Sequence, residues 1–105
     1  VVLAEMIDCY LEDAPKLLDA IATAVTQKDA KLLRQASHTL KSSSATIGAT
    51  TLSHLGQKLE VMSRIGNTEY ALDKLPQLEA EYKRVKAALQ LHYQQMDLKV
   101  EKLES

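Results

Sequence analysis

The sequence predicts an all-α protein that folds as an antiparallel four-helix bundle with an additional short N-terminal helix. Glycine and proline are scarce, with 3 and 2 among 105 residues. Ala, Leu, Lys, Glu and Gln are abundant, and these side chains lose little rotamer freedom in a helix. The chain also lacks the β-branched and aromatic runs that form strands. Its length suits one domain, which we place at residues 1–105.

A proline interrupts the first apolar stripe. The stripe has the spacing of one helix face and consists of Leu3, Ile7, Leu11, Ala14, Leu18, Ile21 and Val25. Pro15 removes a backbone N–H, whereas Asp13 is a suitable N-cap for a helix with proline in its first turn. We therefore expect a kinked pair of helices here, which supplies the additional short N-terminal helix.

The second main helix is predicted from about residue 30 to residue 47. Asp29 is a good N-cap, and Gly48 can adopt the left-handed backbone that ends a helix. The residues predicted to face the core are Leu33, Ala36, Leu40, Ser43, Ser44 and Ile47. At 100° per residue, His38 lies about 160° from Leu40, so we expect the imidazole on the solvent face.

Two further helices complete the predicted bundle. Thr50 can cap the third, and the pair at 66–67 ends it, because glycine and asparagine tolerate the left-handed conformation. The last helix begins near Thr68 or Asp73 and keeps an apolar spacing to Leu103. We expect it to extend beyond the bundle after about residue 95.

The face around His38 combines positive charge with small side chains. Its members are Lys31, Arg34, Lys41, Ser42 and Ala45. Cations favour an anionic group, and small residues let the backbone of another protein approach the ring. An exposed histidine in such a surround is suited to accept an anion that a partner delivers.

Residues 36–49 resemble the signature of histidine-phosphotransfer (HPt) domains of two-component multistep phosphorelays. That pattern is a histidine, two residues, a lysine, small residues and then a glycine about ten positions after the histidine. Here these positions are His38, Lys41, 42–45 and Gly48. Residues 11–15 and the leucines at 52, 55 and 59 also resemble the family. Ser42 departs from it, because the family frequently has glycine directly after the lysine.

The resemblance implies a function for each residue of the motif. His38 would accept a phosphoryl group from a receiver-domain aspartate and pass it to another receiver, with Lys41 stabilising the phosphate charge. Ser42 could donate a hydrogen bond to the phosphoryl oxygens, and Ala45 and Gly48 would support the approach of the partner. The receiver would supply Mg²⁺, and this chain would need no cofactor of its own.

Three more residues are candidates for the site. We expect Lys31 and Arg34 to steer an acidic partner rather than to touch the phosphate. Gln57 is expected either near the His38 ring, as polar residues there are in the family, or as a plain surface residue. His54 and His92 are expected to be structural, and Cys9 to be a partly buried core residue.

Composition excludes several classes of partner. A formal net charge of −1 without a basic stripe argues against nucleic acid, and no apolar run is long enough to cross a membrane. A lone cysteine favours a reducing compartment, the cytoplasm. No glycine-rich phosphate loop occurs, so we expect a phosphocarrier without kinase activity. The start on Val1 favours a piece of a longer protein, such as a hybrid sensor kinase acting in cis.

Two rival functions were weighed against phosphotransfer. A di-iron bundle needs Glu-x-x-His pairs, but Gln35, Thr51 and Leu89 stand three residues before the histidines, so no metal site is predicted. A structural helical adaptor or dimerisation module that uses residues 78–103 stays open as the alternative. We expect a monomer, with a dimer through the last helix as the other possibility.

Overall fold

The computed structural model of the chain describes the backbone of residues 2–104 and the side chains of residues 3–95. Over that range the chain forms four helices: α1 (Val2–Gln27), α2 (Ala30–Ile47), α3 (Thr50–Arg64) and α4 (Thr68–Glu104). Each connection is a short turn, so consecutive helices run antiparallel. α2 packs between α1 and α3, and α4 closes the bundle against the same two helices. The predicted all-α bundle is confirmed.

α1 is one continuous helix, so the additional N-terminal helix expected from Pro15 is not a separate element. Pro15 is exposed and lies inside α1, where its ring faces solvent. Ile7 and Ala14 before the proline and Ile21 after it are all 0% exposed. Because the buried stripe continues across the proline, packing on the core outweighs the lost backbone hydrogen bond.

The ends of α2 are those that the sequence predicts. Asp29 caps the helix, since its Oδ1 accepts a hydrogen bond from the Leu32 N–H at 3.1 Å. Gly48 ends it with a left-handed φ of 86°. The prediction for α3 is wrong at its start, because Ala49 occupies the N-cap position and Thr50 is already helical. α4 begins at Thr68, where Asn67 Oδ1 accepts from the Tyr70 N–H at 3.1 Å.

The core lies between the four helices and is made of large aliphatic residues. Those with essentially no exposure are Ile7, Ile21, Leu33, Leu40, Leu52, Leu59 and Leu78. Two tyrosines add to it: Tyr10 shares a 2.9 Å hydrogen bond with Ser44 and packs its ring 6.4 Å from that of Tyr82. α2 therefore buries one face and presents the opposite face, with His38, to solvent.

α4 is much longer than its neighbours. Its 37 residues correspond to about 56 Å, against about 22 Å for the 15 residues of α3. The apolar positions predicted near its end, from Met96 to Leu103, lie outside the described side chains. No helix in the part of the chain that the structure describes is long and apolar enough to cross a membrane.

Candidate functional site

His38 stands on the outer face of α2 with 60% of its side chain exposed. Ser37 directly precedes His38, and Leu40 follows it by two residues. Both are 0% exposed and hold this turn of the helix against the core. The backbone beneath the imidazole is therefore fixed, while the ring itself is open to a partner.

The imidazole is held by a buried carboxylate on the neighbouring helix. His38 Nδ1 lies 3.2 Å from Glu60 Oε1 on α3, and the Glu60 side chain is only 5% exposed. A carboxylate only accepts hydrogen bonds, so in the neutral form of the ring the proton lies on Nδ1 and Nε2 keeps its lone pair. Glu60 thus leaves Nε2 as the ring nitrogen that is free of a partner among the described residues.

Glu60 is the centre of a charged cluster. Among the described residues it binds three partners: besides His38, the Lys41 ammonium lies 2.9 Å from Oε2 and the Arg64 guanidinium 2.9 Å from Oε1. The Lys41 ammonium is the main cause of the lowered pKa of Glu60; the His38 ring adds to it, and burial opposes both. These partners cover the carboxylate near the surface of the domain, and so low an exposure of a charge is tolerable because it is paired.

Lys41 is less exposed than the sequence suggested. It lies one helical turn after His38, as predicted, but only 31% of its side chain is exposed and its ammonium is bound to Glu60. Lys41, which we placed on the solvent face with His38, is therefore only partly exposed, and its ammonium is not free. The lysine is near the imidazole, but in this structure its charge is paired.

A glycine brings α3 against the turn of α2 that carries the site. A Cβ on Gly56 would lie 3.1 Å from both Ser37 O and Lys41 N, which is tighter than backbone atoms ordinarily allow. Beside it, Ser53 Oγ donates a hydrogen bond of 2.9 Å to Lys41 O. Because Glu60 lies one turn beyond Gly56, this close approach places the carboxylate beside the imidazole.

The remaining predicted residues surround this cluster at the surface. Arg34 is exposed and lines a depression of about 290 Å³ together with Gln35, His38, Glu60 and Arg64. Lys31, Ser42 and Ala45 are exposed on α2, and Gly48 forms its C-terminal cap. The structure thus brings Arg34 and Lys41 close to His38 and leaves Lys31 about two turns away.

Gln57 is not the α3 residue that contacts His38. It is exposed and lines a different groove, with His54, Met62 and Tyr70, so of the two alternatives expected for it the structure shows the plain surface residue. Glu60 occupies that position, and the sequence reasoning missed it. The sequence shows only that Ser53, Gly56, Glu60 and Ser63 repeat at the spacing of one helix face; the structure adds that this face is buried.

Other residues also lie differently from expectation. Cys9 is exposed rather than partly buried, and lines a groove between α1 and α2 with Tyr10 and Ile47. His54 and His92, expected to be structural, are exposed. Within residues 3–95, no group of three or more His, Cys, Asp or Glu side chains could hold a metal ion.

Comparisons with known proteins identify the family of this four-helix bundle. The family model for the Hpt domain matches residues 5–88, and the chain belongs to this family. It is similar to the crystal structure of histidine-containing phosphotransfer protein B (HptB) from Pseudomonas aeruginosa PAO1, with a TM-score of 0.84 and 26% identity. That match covers 88% of this chain and 80% of the HptB chain. A comparison with the curated proteins found no match.

Membership of this family establishes the broad role of the domain. Hpt domains act in histidine phosphotransfer within phosphorelays, where they are phosphocarriers and not kinases. They interact with response-regulator receiver domains. The resemblance on which the sequence prediction depends is therefore confirmed.

Proposed function

We propose that His38 accepts a phosphoryl group from the aspartyl phosphate of one receiver domain and passes it to the aspartate of another. The observation that supports this most directly is the exposed imidazole with its Nδ1 held by the buried carboxylate of Glu60. This arrangement leaves Nε2 unprotonated and accessible, which is what a nucleophile delivered to a partner requires.

The transfer is a direct displacement at phosphorus. The Nε2 lone pair forms the N–P bond while the bond from phosphorus to the aspartate oxygen breaks, and its electron pair leaves on the receiver carboxylate. The proton stays on Nδ1, where Glu60 stabilises the positive charge that the ring gains. Because the transition state is loose, alignment and charge stabilisation account for most of the catalysis. The reverse displacement passes the group on.

Besides His38, the residues of this chain that contact the phosphoryl group in the proposal are Lys41 and Ser42. Lys41 supplies positive charge to the phosphoryl oxygens, and the exposed Ser42 hydroxyl donates a hydrogen bond to them. Ala45 and Gly48 leave room for the receiver backbone, and Arg34 and Lys31 attract its acidic surface. Mg²⁺ is assigned to the receiver, because Glu60 is already bound by cationic side chains.

The setting of the domain belongs to the same proposal. It acts as a monomer in the cytoplasm, either as a separate protein or as part of a hybrid sensor kinase. The alternative, a structural adaptor or dimerisation module, is supported by the length of α4 and by Leu91 on it, which is 58% exposed.

A phosphotransfer profile tests the proposal. The domain is incubated with a panel of phosphorylated receiver domains, and acid-labile, alkali-stable phosphate on it is measured by ³¹P NMR. The parent chain should take up phosphate and His38→Gln should not. His54→Gln, which alters another exposed histidine, is the matched control and should behave as the parent. Equal uptake by His38→Gln and the parent would contradict the site.

A further inference from the structure

We propose that Arg64 is a positioning residue that keeps Glu60 neutralised while Lys41 leaves it for the phosphoryl group on His38. The inference rests on the proposed phosphotransfer at His38. It concerns a residue that the sequence motif does not contain, and it explains why the buried carboxylate has two strong cationic partners instead of one.

The first step is that Lys41 is committed elsewhere before transfer. Its ammonium lies 2.9 Å from Glu60 Oε2. It can reach a phosphoryl group on His38, because side chains three residues apart on a helix are neighbours. Its 31% exposure shows that the path to solvent is open. A phosphoryl group with close to two negative charges competes for the ammonium more strongly than one carboxylate oxygen does.

The second step is the cost of releasing Lys41. Glu60 is 5% exposed, and removing a partner from a buried charge is strongly unfavourable when the charge is left uncompensated. That cost would oppose each transfer to His38. The His38 ring, which gains positive charge when it is phosphorylated, offsets part of that cost, and a permanent cation that remains on Glu60 throughout the reaction would offset more of it.

Arg64 has the geometry for this task. Its guanidinium lies 2.9 Å from Oε1, whereas Lys41 binds Oε2, so Lys41 can leave without disturbing the arginine. Arg64 follows Glu60 by one turn on α3, and 62% of its side chain is exposed, so it approaches from the solvent side. A guanidinium also stays charged at all relevant pH values.

Arg34 provides a matched control. It is an exposed arginine that lines the same depression beside His38, but it lies on α2, and the ion pairs found for Glu60 among the described residues are with His38, Lys41 and Arg64. Arg34→Gln and Arg64→Gln therefore remove the same charge from the same surface, and they differ in whether Glu60 loses a partner.

The first experiment follows Lys41 directly. The ¹⁵Nζ resonance of Lys41 is recorded before and after phosphorylation of the full chain with potassium phosphoramidate, a donor that needs no receiver. In the parent and in Arg34→Gln the resonance should shift on phosphorylation; in Arg64→Gln the shift should be much smaller, because Lys41 stays on Glu60. An unchanged Lys41 resonance in the phosphorylated parent would overturn the inference.

The second experiment measures transfer rates at saturating concentrations of a phosphorylated receiver, so that the attraction of Arg34 for the receiver surface does not enter the comparison. Arg64→Gln should slow transfer about fivefold relative to Arg34→Gln, which corresponds to one strong partly exposed ion pair. Glu60→Gln removes the buried charge but keeps an acceptor for Nδ1, so adding Arg64→Gln to it should cause no further loss. If Arg64 had only a structural role, Arg64→Gln would slow transfer equally in the parent and in the Glu60→Gln background. Equal rates for the two arginine variants, or a full Arg64 effect in the Glu60→Gln background, would overturn the inference.

The two proposals fail in different ways. A parent chain that takes phosphate neither from phosphoramidate nor from any receiver contradicts the phosphotransfer function, and the inference with it. A parent chain that is phosphorylated on His38 while Lys41 stays in place leaves the function standing and rejects the role of Arg64 alone.

Discussion

The two sides of the bundle are built from different materials. Where α2 meets α3, the contact consists of small residues and a charged cluster, with Gly56 against the backbone of α2 and Glu60 between its cations. Where α1 meets α4, large rings and aliphatic side chains fill the space, with Tyr10 and Tyr82 at 6.4 Å. The first contact sets the distance between the backbones of α2 and α3, and the second adds two large rings to a core that all four helices share. We therefore expect the site geometry to depend more on the first contact than on the second.

The largest effect on stability is expected on the apolar side. Leu78 on α4 is 0% exposed, so Leu78→Ala should lower the free energy of unfolding by about 2–5 kcal/mol through lost burial and a cavity. Urea unfolding measures it. Leu72→Ala, at a residue that is 55% exposed on the same helix, is the control and should cost far less. If the sides are separable, the folded fraction of Leu78→Ala transfers phosphate at the parent rate.

Gly56→Ala should affect transfer more than stability, in contrast to Leu78→Ala. We expect a moderate loss of stability and a large loss of phosphotransfer. The new methyl group meets backbone atoms at 3.1 Å, so α3 must move away from α2, at a cost of about 1–3 kcal/mol. The same movement takes Glu60 away from His38. Unfolding and phosphotransfer measured on one sample check both effects.

Gly66→Ala is the matched glycine control. Gly66 also resists substitution, because its φ is 77°, but a Cβ there meets nothing within 4 Å. It should lose about 1–2 kcal/mol of stability and keep the parent transfer rate. A similar loss of transfer in both glycine variants would show that the α2–α3 contact has no special role.

Lys41→Ala should cost about 1–2 kcal/mol of stability as well as slowing transfer, because it removes a charged partner from buried Glu60. Thermal unfolding and receiver-dependent transfer are the measurements. Lys31→Ala, at an exposed lysine on the same helix, should leave stability unchanged. Unchanged stability in Lys41→Ala would mean that the pair with Glu60 contributes nothing to the fold.

The smallest effect is the pH dependence of the Glu60 cluster. The pKa of Glu60 is lowered from its ordinary value of 4.5, mainly by Lys41, so the folded chain binds this proton less readily than the unfolded chain. Its contribution to stability is complete above the ordinary value and is lost as the pH falls through the lowered one. The stability difference between the parent and Glu60→Gln should therefore shrink as the pH falls below the ordinary value of 4.5. A difference that does not shrink in such acidic solution would contradict the assignment.

How much of this the sequence predicts depends on the range of the interaction. The outward position of His38, the Asp29 cap and the Gly48 end follow from periodicity and local backbone chemistry within α2. Glu60 was missed because its partners come from another helix, and the register between two helices is not written in the pattern of either. The same limit explains the expected freedom of Lys41, since one helix alone shows it as a surface residue.

Pro15 illustrates the opposite error. The prediction from local chemistry overestimated the effect of Pro15 on the continuity of α1. A proline removes one backbone hydrogen bond, but the apolar stripe on both sides of it stays buried from Ile7 to Ile21. Packing against the other helices keeps α1 continuous, and rules that consider only neighbouring residues do not include this packing energy.

The exposure of His38 has a consequence for the lifetime of a phosphoryl group bound to it. An imidazole that is 60% exposed leaves a phosphoryl group bound there in contact with bulk water between encounters with partners. The same exposure that lets a second protein reach the ring also lets water hydrolyse the phosphoryl group. The lifetime of the phosphorylated domain then sets how far it can diffuse before it meets an acceptor. In such a relay, local concentration of the next acceptor becomes as important as affinity for it.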